Sequence, residues 1–419
     1  MLLIPVLLVL ALFGCARRDV VNPFDPNASQ SPLVLSLSPE RFSVSLNWQW
    51  RSVPLSDVSG FRVYRAVDQP DSFVVLAELP ADSFSFLDRS VQQNRWYFYR
   101  VSVLGRGTES KPTETQKALL GPVDVWMFSE LGFEIDRLSY DLQHVKAQFF
   151  TELPPVDWAP RFADSLIWLC HRRLQKTVSR FRLSPPGEDF ILNTSLSDPI
   201  QIEWPLNSPR VFVLDDGTDR LIGLEDKTLN LDIPLPAGKY LKLVTDSDQR
   251  FLWALARSFL VRIPVSSPDQ LARFPVPPGY LAQDLVAADA KLYLLATASD
   301  STTASSALFV NPQSGNLNPS LELNGRFLRL EVDPEQQMYF LAEVADVQQQ
   351  KLWKLSFTGV RQWEMAGFTE ISDIQLIREN KHLVVVDRLG DKLVLVTPNG
   401  QRLSESVPLY DPVQVQFTP

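Results

Sequence analysis

The sequence predicts an all-β protein: a β-sandwich near the N-terminus, followed by a seven-bladed β-propeller closed by the C-terminal strand. Three observations predict it. Apolar and polar residues alternate with period two between about residues 32 and 118, the pattern of half-buried strands. Beyond residue 120, compact apolar runs recur in steps of 40 to 46 residues, the length of a propeller blade. Prolines outnumber glycines, 32 to 17, which suits strands and corners and not long helices.

The 419 residues are 45% hydrophobic and 21% charged, enough for two or three domains with substantial cores. The 40 basic and 49 acidic residues leave a formal charge of -9. That balance disfavours nucleic acid, and none is expected as a partner, because phosphates reward clustered Lys and Arg. The two cysteines are Cys15 and Cys170. Cys170 ends the apolar run SLIWLC and reads as a small buried hydrophobe.

The first residues, MLLIPVLLVLALFGC, carry an apolar run shorter than the roughly 20 residues that span a bilayer. Its length is that of a signal-peptide core. It stops at Leu12-Phe13-Gly14-Cys15, which resembles the lipobox of bacterial lipoproteins. Phe13 is bulkier than that pattern usually has, and no Lys or Arg stands near the start. The resemblance implies that residues 1–14 are a signal peptide and that Cys15 is the lipid attachment site. It also implies a lipid-anchored place in the bacterial cell envelope, with the membrane as a partner through the acyl chains. Ala16, rather than Asp, directs the expectation to the outer membrane. Each buried acyl methylene contributes about 0.8 kcal/mol, and two or more chains anchor stably. The alternative is a plain signal peptide with an incidental cysteine. Residues 15–31, polar and carrying Pro23 and Pro26, read as a flexible tether.

The sandwich spans 32–118. FSVSLNW sets Phe42, Val44, Leu46 and Trp48 on one face, and YFYRVSV does the same for Tyr97, Tyr99, Val101 and Val103. GFRVYRA and FVVLAEL supply further strands, with turn residues from Asp68 to Asp71 between them. These segments resemble a fibronectin type III domain. Trp48 takes the place of its core tryptophan, GFRVYR its third strand, and GTESKPT the loop before its last strand. Tyr97 is the candidate tyrosine corner. The resemblance implies a fold, in a module that serves as spacer or adhesive unit.

Residues 120–419 hold the repeat. Trp126, Trp168, Phe212, Trp253, Tyr293, Tyr339 and Val384 align at the centre of seven apolar runs. A strand covered on both faces by neighbouring blades reads as such a continuous run. Each run is followed by a second strand, from EIDRL in the first unit to KLVLV in the last. Each unit after the first is preceded by a short strand, from VDW to DIQLI. The first unit lacks one, and DPVQVQF at the far end has no unit of its own. Pairing Val413–Phe417 with the first blade closes the ring and removes its open edges. The units lack the Gly-His and Trp-Asp signature of WD40 repeats. They resemble NHL and YVTN-type repeats of bacterial envelope proteins, best in HLVVVDRLGDKLVLVTPNGQRL.

No catalytic constellation and no metal or cofactor motif stands out. His144, His171 and His382 have no partner at ligand spacing and read as solvated loop or strand-end residues. Asp215, Asp216, Asp219, Asp387 and Asp391 follow apolar strands, in loops that tend to share one face of a propeller. Asp in such loops also serves simply to form turns. CHRRLQK puts Arg172 and Arg173 at a rim, and TASDSTTASSA is a long polar loop. Arg172, Arg173, Asp215, Asp216 and Asp387 are the candidate binding-face residues.

The function expected is a non-enzymatic envelope lipoprotein whose propeller presents a binding surface to a protein or glycan partner. One alternative is a propeller-type polysaccharide hydrolase or lyase, which needs two carboxyls about 5 to 10 Å apart in one pocket. Another is an outer-membrane assembly factor, by architectural likeness alone.

Overall fold

The computed structural model describes residues 22–50, 57–193, 196–300, 305–311, 317–346 and 349–418. Cys15, segment 1–14 and the start of the expected tether lie outside the described residues. The described residues hold no α-helix; apart from a one-turn 3-10 helix at Phe162–Asp164 they are strands joined by turns and loops. The chain divides into two compact units. Among the described residues, one takes in 22–37, Val44–Asp88 and Arg95–Lys117, the other Ser38–Ser43, Arg89–Asn94 and 118–418.

In the first unit, Leu33–Glu40, Ser43–Trp50 and Ser85–Asp88 form a three-stranded sheet. A second sheet runs Val74–Pro80, Val58–Val67, Trp96–Gly105, and both Thr108–Glu109 and Gln116–Leu119 pair with Trp96–Gly105. Val44, Leu46 and Trp48 of one sheet and Phe61, Tyr97, Tyr99, Val101 and Val103 of the other are buried. The Trp48 and Phe61 rings meet at 5.5 Å. Phe42 departs from the expected face and is exposed, because it lies in the turn before the strand, where no pairing yet fixes the alternation. In the strand that carries the candidate corner Tyr97, Tyr99 donates its hydroxyl hydrogen to Asp88 at 2.9 Å, and Tyr97 stacks on Tyr99. Phe24, in the stretch expected to be a free tether, is buried. It packs on Gly105, where a Cβ would stand 2.2 Å from its ring.

The second unit contains, among the described residues, seven antiparallel sheets of four strands. The apolar runs are the second strand of each: Asp124–Ser129, Leu166–His171, Arg210–Asp215, Phe251–Ala256, Lys291–Ala298, Met338–Asp346 and His382–Asp387. Their burial on both faces comes from the neighbouring sheets. Apolar clusters join the first sheet to the second, and so on through the sixth to the seventh. At roughly 25 cal/mol per Å² of apolar surface, this face-to-face burial is the main stabilising term.

The aromatic column is real, with one correction. Trp126, Trp168, Phe212, Trp253, Tyr293 and Val384 hold equivalent register against the inner strands, opposite Gln416, Ala159, Glu203, Val244, Val286 and Gln375. In the sixth sheet the equivalent residue is Phe340, opposite Glu331, and not Tyr339. The first sheet is completed by the far end of the chain. Pro412–Thr418 pairs antiparallel with Asp124–Ser129, and Trp126 Nε1 donates to Thr418 Oγ1 at 2.9 Å. The edge of Asp124–Ser129 is thereby covered.

Candidate functional site

The seven inner strands share a defect. Each carries a one-residue register shift at its start: at Pro155/Asp157, Pro199/Gln201, Tyr240/Lys242, Ala282/Asp284, Phe327/Arg329, Ile371/Asp373 and Pro412/Gln414. Such a bulge inserts one unpaired residue and re-aims the side chain beside it. The residue after the extra one is polar in every strand: Asp157, Gln201, Lys242, Asp284, Arg329, Asp373 and Gln414. All seven line one cavity of about 450 Å³ bounded by the seven inner strands.

These side chains form a belt from sheet to sheet. Asp157 accepts the amide of Ile202 at 2.7 Å, and Gln201 accepts that of Leu243. Lys242 donates to Asp284 at 2.5 Å, and the other Asp284 oxygen accepts the amide of Leu330 at 2.9 Å. Arg329 donates to the carbonyl of Ser372 at 2.7 Å. Asp373 accepts the amide of Val415 at 3.1 Å, and Gln414 hydrogen-bonds Asp157. An inner strand has one unpaired edge, and its buried amides need partners. The belt supplies them from the preceding sheet.

The cavity is acid-rich. Asp157, Glu203, Asp284, Glu331 and Asp373 face two cations, Lys242 and Arg329. Burial raises Asp157 to about 7, partly offset by the Ile202 and Gln414 hydrogen bonds. Burial also lifts Glu203 and Glu331 to about 8. Both glutamates keep some exposed surface, but in a bore walled by protein that surface hydrates charge poorly. Burial works against the Lys242 charge, and the Asp284 carboxylate more than offsets it.

A cleft of about 990 Å³ adjoins the cavity; Gln201 and Leu241 line both. Arg172 and Arg173 line the cleft, in the loop after Leu166–His171. Arg172 pairs with Asp198 at 2.6 Å and Arg173 with Glu130 at 2.5 Å. The acidic candidates behave differently. Asp215 is buried and accepts the amides of Ser197 and Asp198. Asp387 is buried and accepts those of Thr369 and Glu370 at 2.9 Å. Both hold the incoming connection of their own sheet and offer no oxygen to the mouth. Asp216 accepts the amide of Tyr240 at 2.6 Å and pairs with Lys239.

His171 and His382 stand at strand ends; His144 and His382 are partly exposed, and only His171 departs from the expected solvation. His171 is buried, bonds Ser179 Oγ at 2.7 Å through Nε2, and is held by burial at about 4. His382 meets the Tyr140 hydroxyl, and His144 lies 3.8 Å from Asp141. Among the described residues, no group of three His, Cys, Asp or Glu is placed to hold a metal ion. The belt itself was missed in the sequence. Its members recur every 41 to 45 residues, but Asp, Gln, Lys and Arg alternate, so no residue identity repeats. The available signal was a polar residue two positions after the start of six of the seven inner strands, as in Pro155-Val156-Asp157 and Pro412-Val413-Gln414, and four positions after the start in the strand from Tyr280 to Ala288.

The fold defines the second unit as a β-propeller. No protein-family model matches the chain, and no curated protein matches it. Solved structures similar to it include a 6-phosphogluconolactonase-like protein of Bacteroides fragilis, at 11% identity and TM-score 0.56, covering 71% of this chain and 98% of that one. They also include the periplasmic gluconolactonase of Pseudomonas aeruginosa, at 13% identity and TM-score 0.55, covering 71% and 99%. A protein from Lactobacillus plantarum gives 11% identity and TM-score 0.58, covering 71% and 99%. At these identities the likeness is one of fold and carries no activity across.

Proposed function

We propose that the chain is a non-enzymatic, lipid-anchored protein of the bacterial cell envelope whose propeller presents its cleft-bearing end to a protein or glycan. The observation that carries this reading is the commitment of the bore carboxylates to structure. Asp157, Asp284 and Asp373 each hold an amide of the next sheet. The arginines of the cleft, by contrast, remain partly exposed. In this reading the seven four-stranded sheets are the blades of one ring, closed by Pro412–Thr418. The three- and five-stranded sheets with Trp48 between them are a fibronectin type III-like spacer, over 32–118. Leu12, Gly14 and Cys15 support the anchor, and Ala16 the outer-membrane placement. Purified full-length chain is incubated with envelope extracts and a glycan array. Capture that is lost on Arg172→Glu supports the reading; capture indifferent to that change, or none, removes it. Intact-mass analysis of the mature N-terminus reads the anchor: an acylated Cys15 supports it, and an unmodified or absent Cys15 rejects it.

One observation favours the hydrolase or lyase alternative. Glu331 lies within electrostatic reach of Asp373, and Glu203 of Asp157, inside the same bore. A glutamic acid still protonated at neutral pH beside an aspartate is the acid–base pairing that glycoside cleavage uses. Product release from a polysaccharide panel, abolished by Glu331→Gln or Glu203→Gln, would establish it; no turnover of any substrate leaves binding as the role.

A further inference from the structure

Three consecutive sheets meet at one corner of the cleft. Glu130, in the hairpin after Asp124–Ser129, receives Arg388 of the seventh sheet at 2.7 Å and Arg173 of the second at 2.5 Å. Arg388 also donates to Asp411 at 2.7 Å, and Asp411 accepts the amide of Leu131 at 3.0 Å. Each member of this lattice has an exposed apolar chain neighbour. Leu131, Leu174, Leu389 and Tyr410 are 41, 82, 64 and 57% exposed. Four large exposed apolar side chains, each next in the chain to a member of one ion-pair lattice, mark an interaction site.

The adjoining cleft is cationic. Arg172, Arg173, Lys176, Lys239 and Arg388 line it, against Glu130 and Asp198. Glu130 serves two arginines at once, and the Lys176 ammonium donates to the carbonyl of Ser197, a neutral group. With Asp216 on Lys239 and Asp411 on Arg388 counted, five cations stand against four carboxylates, and the side chains of Arg172, Arg173 and Lys239 stay about half exposed beside Lys176, on a chain whose net charge is -9. We propose that this corner binds an acidic, extended segment of a partner protein, its carboxylates on the cleft cations and its apolar residues on Leu131, Leu174, Leu389 and Tyr410. The proposal rests on the binding role argued above and narrows its partner to protein. Arginine clusters recognise acidic motifs through charge-assisted hydrogen bonds, and apolar anchors beside them supply the desolvated centre. A flat bilayer fits less well, because the cations line a recess and the leucines stand beside it. A glycan fits less well, because three leucine side chains offer nothing to hydroxyl groups.

The test uses the full chain and three probes: a fluorescein-labelled peptide of repeating Glu-Glu-Leu units, polygalacturonate, and phosphatidylglycerol vesicles. The peptide is expected to bind. Leu174→Asp, Leu389→Asp and Arg172→Glu are each expected to weaken it by roughly tenfold or more. Val360→Asp, at an exposed apolar residue of another hairpin, is expected to leave it unchanged. Leu174 and Leu389 are so exposed that their variants keep the fold, which an unchanged melting temperature verifies. No peptide binding, or binding indifferent to all three variants, overturns the proposal. Polygalacturonate or vesicle binding through the same residues, without the peptide, also overturns it but leaves a binding rim in place. If no probe binds while Glu331→Gln abolishes turnover of a polysaccharide, the binding role falls as well.

Discussion

Lys242 and Asp284, on the inner strands of the fourth and fifth sheets, are joined by a 2.5 Å hydrogen bond at the wall of the bore. The second Asp284 oxygen holds the Leu330 amide of the sixth sheet. A single carboxylate thus ties three successive sheets, and removing it leaves both an ammonium and an amide without their partner.

The cost should follow that arrangement. Asp284→Ala is expected to destabilise by about 3 kcal/mol, the range for breaking a buried pair. Lys242→Ala should cost a similar amount, about 3 kcal/mol, because it leaves the buried Asp284 carboxylate without its cation. Lys351→Ala, which breaks an exposed pair with Glu364, should fall within about 0.5 kcal/mol of the parent. Urea midpoints rank the three; an equal effect for Asp284→Ala and Lys351→Ala would reject the belt as a source of stability.

Closure by the last strand predicts a distant effect of a local change. Val415 is fully buried on Asp124–Ser129. Val415→Asp is expected to release Pro412–Thr418, with loss of amide protection at Trp126 and Phe128, some 290 residues earlier in the chain. Hydrogen exchange followed by mass spectrometry reads it. Protection unchanged in Asp124–Ser129 would show that the first sheet is stable without its fourth strand.

The bore carboxyls predict a pH dependence of definite sign. Glu203 and Glu331 stand at about 8 in the folded chain, against roughly 4.3 when unfolded. Between those values the folded state holds more protons, so stability declines as pH rises from about 4 through 8. His171, at about 4 when folded and roughly 6.5 when unfolded, acts in the opposite sense and costs stability as pH drops below about 6.5. Glu331→Gln is therefore expected to melt higher than the parent near pH 9 and to match it near pH 5. A gain of equal size at both pH values would show that ionisation of Glu331 is not the cause.

Cys170 tests the packing of the second sheet. Its thiol is fully buried, and burial raises its pKa well above the usual value. Iodoacetamide should leave the peptide containing Cys170 unmodified in the native chain and label it completely in denaturant, as peptide mapping would record. Native labelling at a comparable rate would mean that the sheet opens readily.

Gly121 sets the approach of the chain to the first sheet. A Cβ there would stand 2.0 Å from the Tyr140 ring, which in turn meets His382. Gly121→Ala is expected to cost about 1 to 3 kcal/mol by overpacking, read as a lowered melting temperature. Gly107→Ala, where a Cβ would meet no atom within 4 Å but φ is +72°, should cost only the backbone strain of about 1 kcal/mol.

The strands, their period and the closing segment were legible in the sequence, because burial on two faces writes a local pattern. Runs such as VFVL and LVVV, and an orphan strand at DPVQVQF, follow from which residues water excludes. The one-residue error at Tyr339 arose where two aromatics adjoin and either satisfies that pattern. The site was different. Whether Asp157, Asp284 or Asp387 faces a bore, a neighbouring sheet or its own loop depends on bulge positions and on amides 17 to 46 residues away. Hydrogen bonds across sheets leave no periodic trace when Asp, Gln, Lys and Arg answer the same need. Hydrophobic patterning is a property of each strand alone; the partner of a buried polar group exists only once the strands have been brought together.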